Sequence, residues 1–440
     1  MELKDRKVVV FGMAASGRAA ARLAVERGAQ VVGVDQKLDV APISGVMLEL
    51  GPSKLSTFES ADLVVVSPGV PATAAELQAA VAAGVPVIGE LSFAASFLKL
   101  DTVAISGTNG KSTVTWFTGQ LLQACGRKPF VGGNFGRPLS EAAFAENADA
   151  FDCAVVEVSS YQMEWRNGSF QPRAAAIINL TPDHLARHGD MDQYGAMKCR
   201  LFENMGPTDL AFVPPQDERL VRLSQGIGRG QRAWIGRLPG VERKGDAIAL
   251  RWTGVEADFD LSKFDVPGEH NRDNAALAAA LTSALGGSGT GIQQGLAGLR
   301  ALPHRMEVVH QGAGITWIND SKATNVAATQ VGIRGLHSSG VLLLGGQAKG
   351  DAFSELVPFL KPWRVITFGG SGPQIAEELE AAGAAVTRAG SMKEAVEKAR
   401  QLARAGEVVL LSPGCASFDE FKNFEHRGQV FRELAQGSPA

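Results

Sequence analysis

The stretch Val103 to Thr113, Val-Ala-Ile-Ser-Gly-Thr-Asn-Gly-Lys-Ser-Thr, leaves a chain few ways to fold. Three apolar residues, Val103, Ala104 and Ile105, run into a turn holding Gly107 and Gly110. Lys111, Ser112 and Thr113 then open the apolar, helix-forming run Val114 to Leu122. The order is strand, glycine loop, helix N-terminus, the unit from which α/β sheets are built.

Such a loop suits phosphate. Glycines let the backbone curl so that successive N–H groups point at an anion, the helix start adds further donors and partial positive charge, and Lys111 adds a full charge. Ser112 or Thr113 can ligate the Mg²⁺ that accompanies a nucleoside triphosphate. The general phosphate-loop pattern wants a glycine five residues before Gly110, where this chain has Ile105, so the loop Gly107-Thr108-Asn109-Gly110-Lys111-Ser112 is a shortened form.

At 440 residues the chain is too long for one compact domain, and two to four are expected. Lys plus Arg (43) nearly balance Asp plus Glu (46), leaving a formal charge of −3, so no broad basic face for nucleic acid is implied. The four cysteines, Cys125, Cys153, Cys199 and Cys415, are scattered without Cys-x-x-Cys spacing, which points to neither zinc nor a disulfide framework. The N-terminus leads directly into a strand and no apolar run approaches membrane-spanning length, so a cytoplasmic protein with no membrane partner is expected.

Lys7 to Gly12 reads as a buried strand, Gly17 to Arg27 as an Ala-rich helix, and Gln30 to Val34 as a second strand ending at Asp35. This βαβ unit places an acidic residue where a Rossmann-like fold meets a ribose or base. Its loop has Ala14 where the dinucleotide fingerprint requires its second glycine, so the signal for NAD is weak. A strand at 62–66 running into Ser67-Pro68-Gly69, a helix near 73–83 and a short strand at 86–88 complete a first α/β domain of about 95 residues.

After the phosphate loop, Asp152 to Val158 reads as a buried strand carrying Glu157, and an unpaired buried glutamate is costly enough to call for a metal or an arginine. Ala174 to Leu180 delivers Asn179-Leu-Thr-Pro-Asp183-His184, and Asp192 to Asn204 has helical character with Lys198 among its apolar residues. Residues 210–265 read as short strands and polar turns, and His270-Asn271 with Asn274 starts a long Ala-rich helix. Beyond a glycine-rich break at 286–291 and Leu302-Pro303, strands at 306–309, 315–319, 341–344, 365–368 and 408–411 alternate with helices near 373–383 and 391–405. That alternation is a further doubly wound α/β domain.

Taken together, Gly107-Thr-Asn-Gly-Lys111-Ser, Glu157-Val-Ser-Ser, Asp183-His184, Lys198, His270-Asn271-x-x-Asn274, Pro303-His-Arg305 and Asn319-Asp320-Ser-Lys322-Ala-Thr324 resemble the Mur ligases of peptidoglycan synthesis. The motifs occur in that family's order over the whole chain. Ser412-Pro-x-Cys415-Ala-Ser417 running to Phe424 is most similar to the members that add D-glutamate.

The resemblance implies three domains: a Rossmann-like domain over 1–97, a central phosphate-loop ATPase-type domain over 98–301, and a doubly wound Rossmann-like domain over 302–440. It implies that the carboxylate of UDP-N-acetylmuramoyl-L-alanine attacks the γ-phosphate of ATP, and that the amine of D-glutamate then displaces phosphate. ATP is expected on Gly107, Thr108, Asn109, Gly110, Lys111, Ser112, Thr113, Asn271, Asn274, Arg305, Asp320 and Lys322. Two Mg²⁺ sites are expected, from Ser112 and Glu157 and from His184 and Lys198, with Lys198 carbamylated because an ammonium cannot ligate a cation. Lys111, His184 and Lys198 are the expected catalytic set. The UDP-sugar is expected on Ser16, Asp35, Gln36, Lys37, Ser67, Gly69, Asn134 and Ser159, and D-glutamate on Thr324, Lys349, Ser417 and Phe424. A monomer is expected.

Rival readings are a folylpolyglutamate-type ligase, a nucleotide-sugar-binding switch ATPase and a dehydrogenase, with another Mur-type amino-acid ligase as the alternative within the family. The hundred residues before Lys111 argue against the first, the amino-acid-type pocket of the last domain against the second, and Ala14 against the third.

Overall fold

The computed structural model describes residues 1–183, 185–336 and 338–437, without the side chains of Leu185 and Ala186. The chain forms two compact units, one of Met1–Lys263 with Asn274–Gly298 and one of Phe264–Asp273 with the residues from Leu299 onward.

The first unit holds two sheets. Strands β1 (Lys7–Phe11), β2 (Gln30–Asp35), β3 (Val46–Leu50), β4 (Leu63–Val66) and β5 (Val87–Gly89) lie in the order β3-β2-β1-β4-β5, all parallel. Successive valines of β1 supply both layers: Val8 and Val10 pack with Ala20 and Leu23 of the helix Ala15–Glu26, and Val9 with Phe58 and Leu77 on the other face. Gly17 sits where that helix approaches the end of β1, and a Cβ there would lie 1.7 Å from the Gly12 carbonyl oxygen. Only glycine allows this packing.

The second sheet has nine strands: β6 (Asp101–Ser106), β7 (Pro129–Gly133), β8 (Cys153–Glu157), β9 (Ala174–Ile177), β10 (Leu210–Val213), β11 (Gln231–Ile235), β12 (Gly240–Lys244), β13 (Ala247–Trp252) and β14 (Val255–Asp260). Their order is β14-β13-β12-β11-β10-β9-β6-β8-β7, with β13 antiparallel to both β12 and β14. Strand β6 therefore lies between β8 and β9, parallel to both. The chain leaves β6 and returns on either side of it, which makes a topological switch point at its C-terminal end. The phosphate loop occupies that end, with Ile105 opposite Glu157 in one register and Ser106 opposite Ile177 in the other.

The second unit carries β15 (Glu307–Gly312), β16 (Ile315–Asn319), β17 (Gly340–Gly345), β18 (Trp363–Phe368), β19 (Val386–Arg388) and β20 (Val408–Leu411), in the order β15-β16-β20-β17-β18-β19. All pairings are parallel except that of β15 with β16. Leu342, Leu344 and Leu410 face one apolar layer, and Val341, Leu343 and Val409 the other.

Several elements differ from the sequence reading. The helix expected over 192–204 is Met191–Cys199, followed by a 3-10 turn at Arg200–Phe202. The stretch 210–265 contains a helix, Glu218–Ser224, capped by the Asp217 side chain accepting from Leu220 N–H at 2.9 Å. Strand β3 and the helices Val326–Arg334 and Phe424–Gln436 are additions. The glycine-rich break at 286–291 is shorter than expected, because Gly289 already begins the helix Gly289–Gly298. Among the described residues, no helix is long and apolar enough to cross a membrane.

Candidate active site

The loop after β6 has the backbone its glycines foretell. Gly107 and Gly110 have φ of +143° and +86°, and Gly110 stands immediately before the helix Lys111–Ala124. A second loop holds it open: the Asn179 side-chain oxygen accepts from Thr108 N–H at 3.1 Å and Asn109 N–H at 2.9 Å, and the Asn179 amide donates back to the Asn109 carbonyl at 3.0 Å. Thr108 Oγ1 also donates to the Thr181 carbonyl at 3.1 Å. Lys111 curls over the loop, its Nζ donating to the carbonyls of Gly107 at 2.9 Å and Thr108 at 2.7 Å. Ser112 and Thr113 are buried at the helix start.

Lys198 arrives from the helix Met191–Cys199 and donates to the same Gly107 carbonyl at 2.9 Å. It is 2 % exposed and stands 4.4 Å from the Tyr194 ring centroid. Burial, reinforced by the Lys111 charge and opposed by Asp183 and Glu157, brings its pKa down to about 7. A large fraction of its amine is therefore neutral, and nucleophilic, near neutral pH.

Glu157 is buried at the end of β8. Its Oε1 accepts from the Asn134 amide at 2.8 Å, while Oε2 has no hydrogen-bond partner among the described residues. Leaving a buried carboxylate oxygen unsatisfied is costly, and a hard divalent cation is the chemistry that repays it. Among the described residues no three His, Cys, Asp or Glu side chains form a ready metal cage. Ser112 and Glu157 nonetheless offer the oxygen ligands that Mg²⁺ takes, since it binds through few carboxylates together with phosphate and water. His184 lies outside the described residues.

Within the same unit, a cavity of about 800 Å³ opens at the C-terminal ends of β1, β2 and β4. Seven of the eight residues expected on the nucleotide sugar line it: Ser16, Asp35, Gln36, Lys37, Ser67, Gly69 and Asn134. The eighth, Ser159, does not, but its N–H donates to Gln162 Oε1 at 2.9 Å and Gln162 is in the wall. Asp35 is fixed by two backbone donors, Met13 N–H at 2.6 Å and Lys37 N–H at 2.9 Å. Ser67 donates to the Gly12 carbonyl at 2.6 Å, tying the β4 loop to the β1 loop.

In the second unit, the expected residues gather where β16, β17 and β20 end. Asp320 is buried, accepting from Ser412 Oγ at 2.8 Å and Met306 N–H at 3.3 Å, and burial raises its pKa to about 6. Arg305 stands between His304 and Met306, both in the left-handed region at φ +62° and +47°, a turn that the Asp320–Met306 bond helps hold. Lys322 Nζ lies 5.6 Å from the Phe424 ring centroid. Hydrogen bonds join the loops of the four expected amino-acid contacts. Gln347 and Ala416 exchange backbone bonds at 2.9 and 3.0 Å, bringing the Lys349 loop to the Ser417 loop. Gly414 N–H donates to Ala323 O at 2.9 Å beside Thr324, and Ser321 Oγ donates to Phe424 O at 2.9 Å. Asn271, also in this unit, donates to the Pro267 carbonyl at 2.6 Å. Asn274 belongs to the first unit, where its Oδ1 would lie 3.2 Å from a Cβ on Gly110.

Asn179, Tyr194 and Gln162 are site residues to which the sequence reading gives no role. Asn179 had a usable signal, because a polar amide directly after an apolar strand stands at the sheet's ligand-binding edge.

A switch-point phosphate loop, a desolvated lysine at its carbonyl and a buried carboxylate short of a partner define a phosphate-loop α/β enzyme that manages charge on a nucleotide. The chain belongs to the Mur ligase family. Its residues 6–89 match the Mur ligase MurD-like N-terminal domain, 105–282 the Mur ligase middle domain, and 304–415 the Mur ligase glutamate ligase domain. Among relatives, it is 38% identical to the UDP-N-acetylmuramoylalanine–D-glutamate ligase of Desulfatibacillum aliphaticivorans, over 100% of both chains. It is 41% identical to the protein of that name in Anaeromyxobacter dehalogenans, over 99% of this chain and 98% of that one. In fold it is similar to UDP-N-acetylmuramate-alanine ligase from Thermotoga maritima, with a TM-score of 0.60 at 18% identity over 99% and 100% of the two chains. It is likewise similar to the MurF ligase of Thermotoga maritima, solved in complex with ADP, with a TM-score of 0.61 at 14% identity over 99% and 96%.

Proposed function

We propose that this chain joins D-glutamate to UDP-N-acetylmuramoyl-L-alanine at the expense of ATP, through an acyl phosphate. The observation that carries the chemistry is the meeting of Lys111 and Lys198 at the Gly107 carbonyl, beside the unsatisfied Glu157 oxygen. The D-glutamate assignment is supported by the names of the relatives and by the C-terminal motif from Ser412 to Phe424.

A carboxylate is a poor acyl donor, and its approach to a triphosphate is opposed by charge. The loop N–H groups, the helix start and Lys111 hold the β- and γ-phosphates, and Asn179 keeps the loop in shape to do so. The muramoyl carboxylate oxygen attacks the γ-phosphorus and ADP leaves. The D-glutamate amine then attacks the acyl carbon, loses a proton, and inorganic phosphate departs. Mg²⁺, held by Ser112 and Glu157 and in a second site by Lys198 and His184, would supply positive charge to the phosphoryl oxygens.

For Lys198 to serve there it must carry oxygen. Its neutral amine adds to CO₂, one N–C bond forming and one proton leaving, to give a carbamate. To ATP we also assign Asn271, Asn274, Arg305, Asp320 and Lys322, to the amino acid Lys349, Thr324, Ser417 and Phe424, and to the UDP-sugar the 800 Å³ cavity. We divide the chain at residues 97 and 301, and assign it to the cytoplasm as a monomer. Phosphate release tests the proposal: it requires both the UDP-muramoyl substrate and D-glutamate, whereas release without an amino acid would make the chain a switch ATPase.

A further inference from the structure

The largest buried cation in the second unit has no place in the reaction. Arg427, on the helix Phe424–Gln436, is 0% exposed, and among the described residues it donates to carbonyls and a hydroxyl rather than to a carboxylate. Its Nε bonds Ser321 Oγ at 2.9 Å, and Nη2 bonds Ser321 O at 2.8 Å and Cys415 O at 3.1 Å. Nη1 bonds Ala416 O at 3.2 Å. Asp419 and Glu420 act on it from a distance, and burial lowers its pKa to about 10, so it stays charged at neutral pH.

The acceptors fall in a pattern. Ser321 lies three residues before Thr324, and its hydroxyl passes the contact on to the Phe424 carbonyl. Ala416 directly precedes Ser417, and its carbonyl also accepts from Gln347, two residues before Lys349. Each expected amino-acid contact is thus within three residues of a group that Arg427 holds directly or through one further hydrogen bond. Because a trans peptide is planar, turning the Ala416 carbonyl toward the guanidinium also turns the Ser417 N–H away from it. Gly346 leaves the room this requires: a Cβ there would lie 2.3 Å from Ala416 O and 3.0 Å from Arg427 Nη1.

We infer that Arg427 is the positioning residue of the amino-acid pocket, a buried fork that sets the loops carrying Thr324, Lys349, Ser417 and Phe424 in one mutual arrangement. This rests on the reading that the second unit receives the amino acid. Lysine cannot replace it, since one ammonium cannot span acceptors on two loops in a fixed plane.

Two variants test it. Arg427→Lys keeps the charge and loses the fork, and Ser321→Ala keeps the guanidinium and cuts the link to Phe424. Both are assayed for the KM of D-glutamate, and for hydroxylamine trapping of the acyl phosphate, which needs ATP and the UDP-muramoyl substrate but no amino acid. The expected result is a rise of about tenfold or more in the KM for D-glutamate, well beyond any change in trapping. An unchanged KM in both variants, or trapping and ligation falling in the same proportion, would show a merely structural arginine and overturn the inference. A parent enzyme that ligated another amino acid would overturn the D-glutamate reading alone, and the same KM ratio measured with that amino acid would still decide the role of Arg427.

Discussion

Replacing Lys198 with methionine should make the protein more stable at neutral pH while abolishing ligation. In the folded chain burial brings the pKa of Lys198 down from 10.5 to about 7. At about 1.4 kcal/mol per unit, holding the ammonium in place costs on the order of 5 kcal/mol. Methionine has a similar length and no charge. It gives up the bond to the Gly107 carbonyl, worth about 1 kcal/mol, so the net gain is about 4 kcal/mol.

The sign follows from proton counting. Between pH 7 and 10.5 the unfolded chain binds more protons at this site than the folded chain, so the parent's stability rises with pH through that window. The methionine variant lacks the dependence. Its advantage should be full below pH 7, shrink as pH rises, and reverse near pH 10. Urea unfolding in CO₂-free, metal-free buffer, read by hydrogen exchange in the helix Lys111–Ala124, measures the difference where the lysine acts. A variant less stable than the parent at pH 6.5, or a difference that ignores pH, would refute the claim that this lysine is held at a desolvation cost. The functional corollary is large: at pH 8 about nine-tenths of such an amine is free to meet CO₂, against less than about one hundredth of an ordinary lysine.

Other expectations follow from single contacts. The Asp320 pKa is raised to about 6 from 3.8, so the folded chain holds a proton that the unfolded one releases, and stability should fall by about 3 kcal/mol as pH rises through that interval. Asp320→Asn should flatten this slope in pH-dependent urea midpoints. Glu157→Gln should raise the Mg²⁺ concentration for half-maximal turnover by about tenfold or more while circular dichroism stays the same, and chelation with EDTA should stop turnover in parent and variant alike. Asp35→Asn leaves one of the two backbone donors, Met13 N–H or Lys37 N–H, without its carboxylate acceptor. The KM for the UDP-sugar should rise several-fold with that for ATP unchanged, and steady-state kinetics with each substrate varied would show it.

Much of the site was legible because it is written in contiguous residues. The phosphate loop carries its own φ requirements at Gly107 and Gly110, and an apolar strand ending in Glu157 advertises a buried carboxylate without needing to know its neighbours. What stayed hidden depends on pairing between distant segments. That β8 and β9 flank β6 is a fact of topology, and it is what places Asn179 against Thr108 and Asn109. Strand β3 was missed because it is an edge strand with Met47 exposed, lacking the continuous apolar run of β1 or β4. Arg427 gives no local sign of burial, since its acceptors lie on loops up to 106 residues away. Tyr194 reads as one more apolar helix position until Lys198 is seen against its ring.

If this site activates a carboxylate by phosphorylating it, an oxygen atom must pass from that carboxylate to the released phosphate. UDP-N-acetylmuramoyl-L-alanine labelled with ¹⁸O in its terminal carboxylate is incubated with ATP, Mg²⁺, D-glutamate and the enzyme, and the released phosphate is analysed by mass spectrometry. One labelled oxygen is expected in each phosphate, matched to one molecule of ligated product. Phosphate released without label, at the same rate as product, would mean that the carboxylate never attacked the γ-phosphorus.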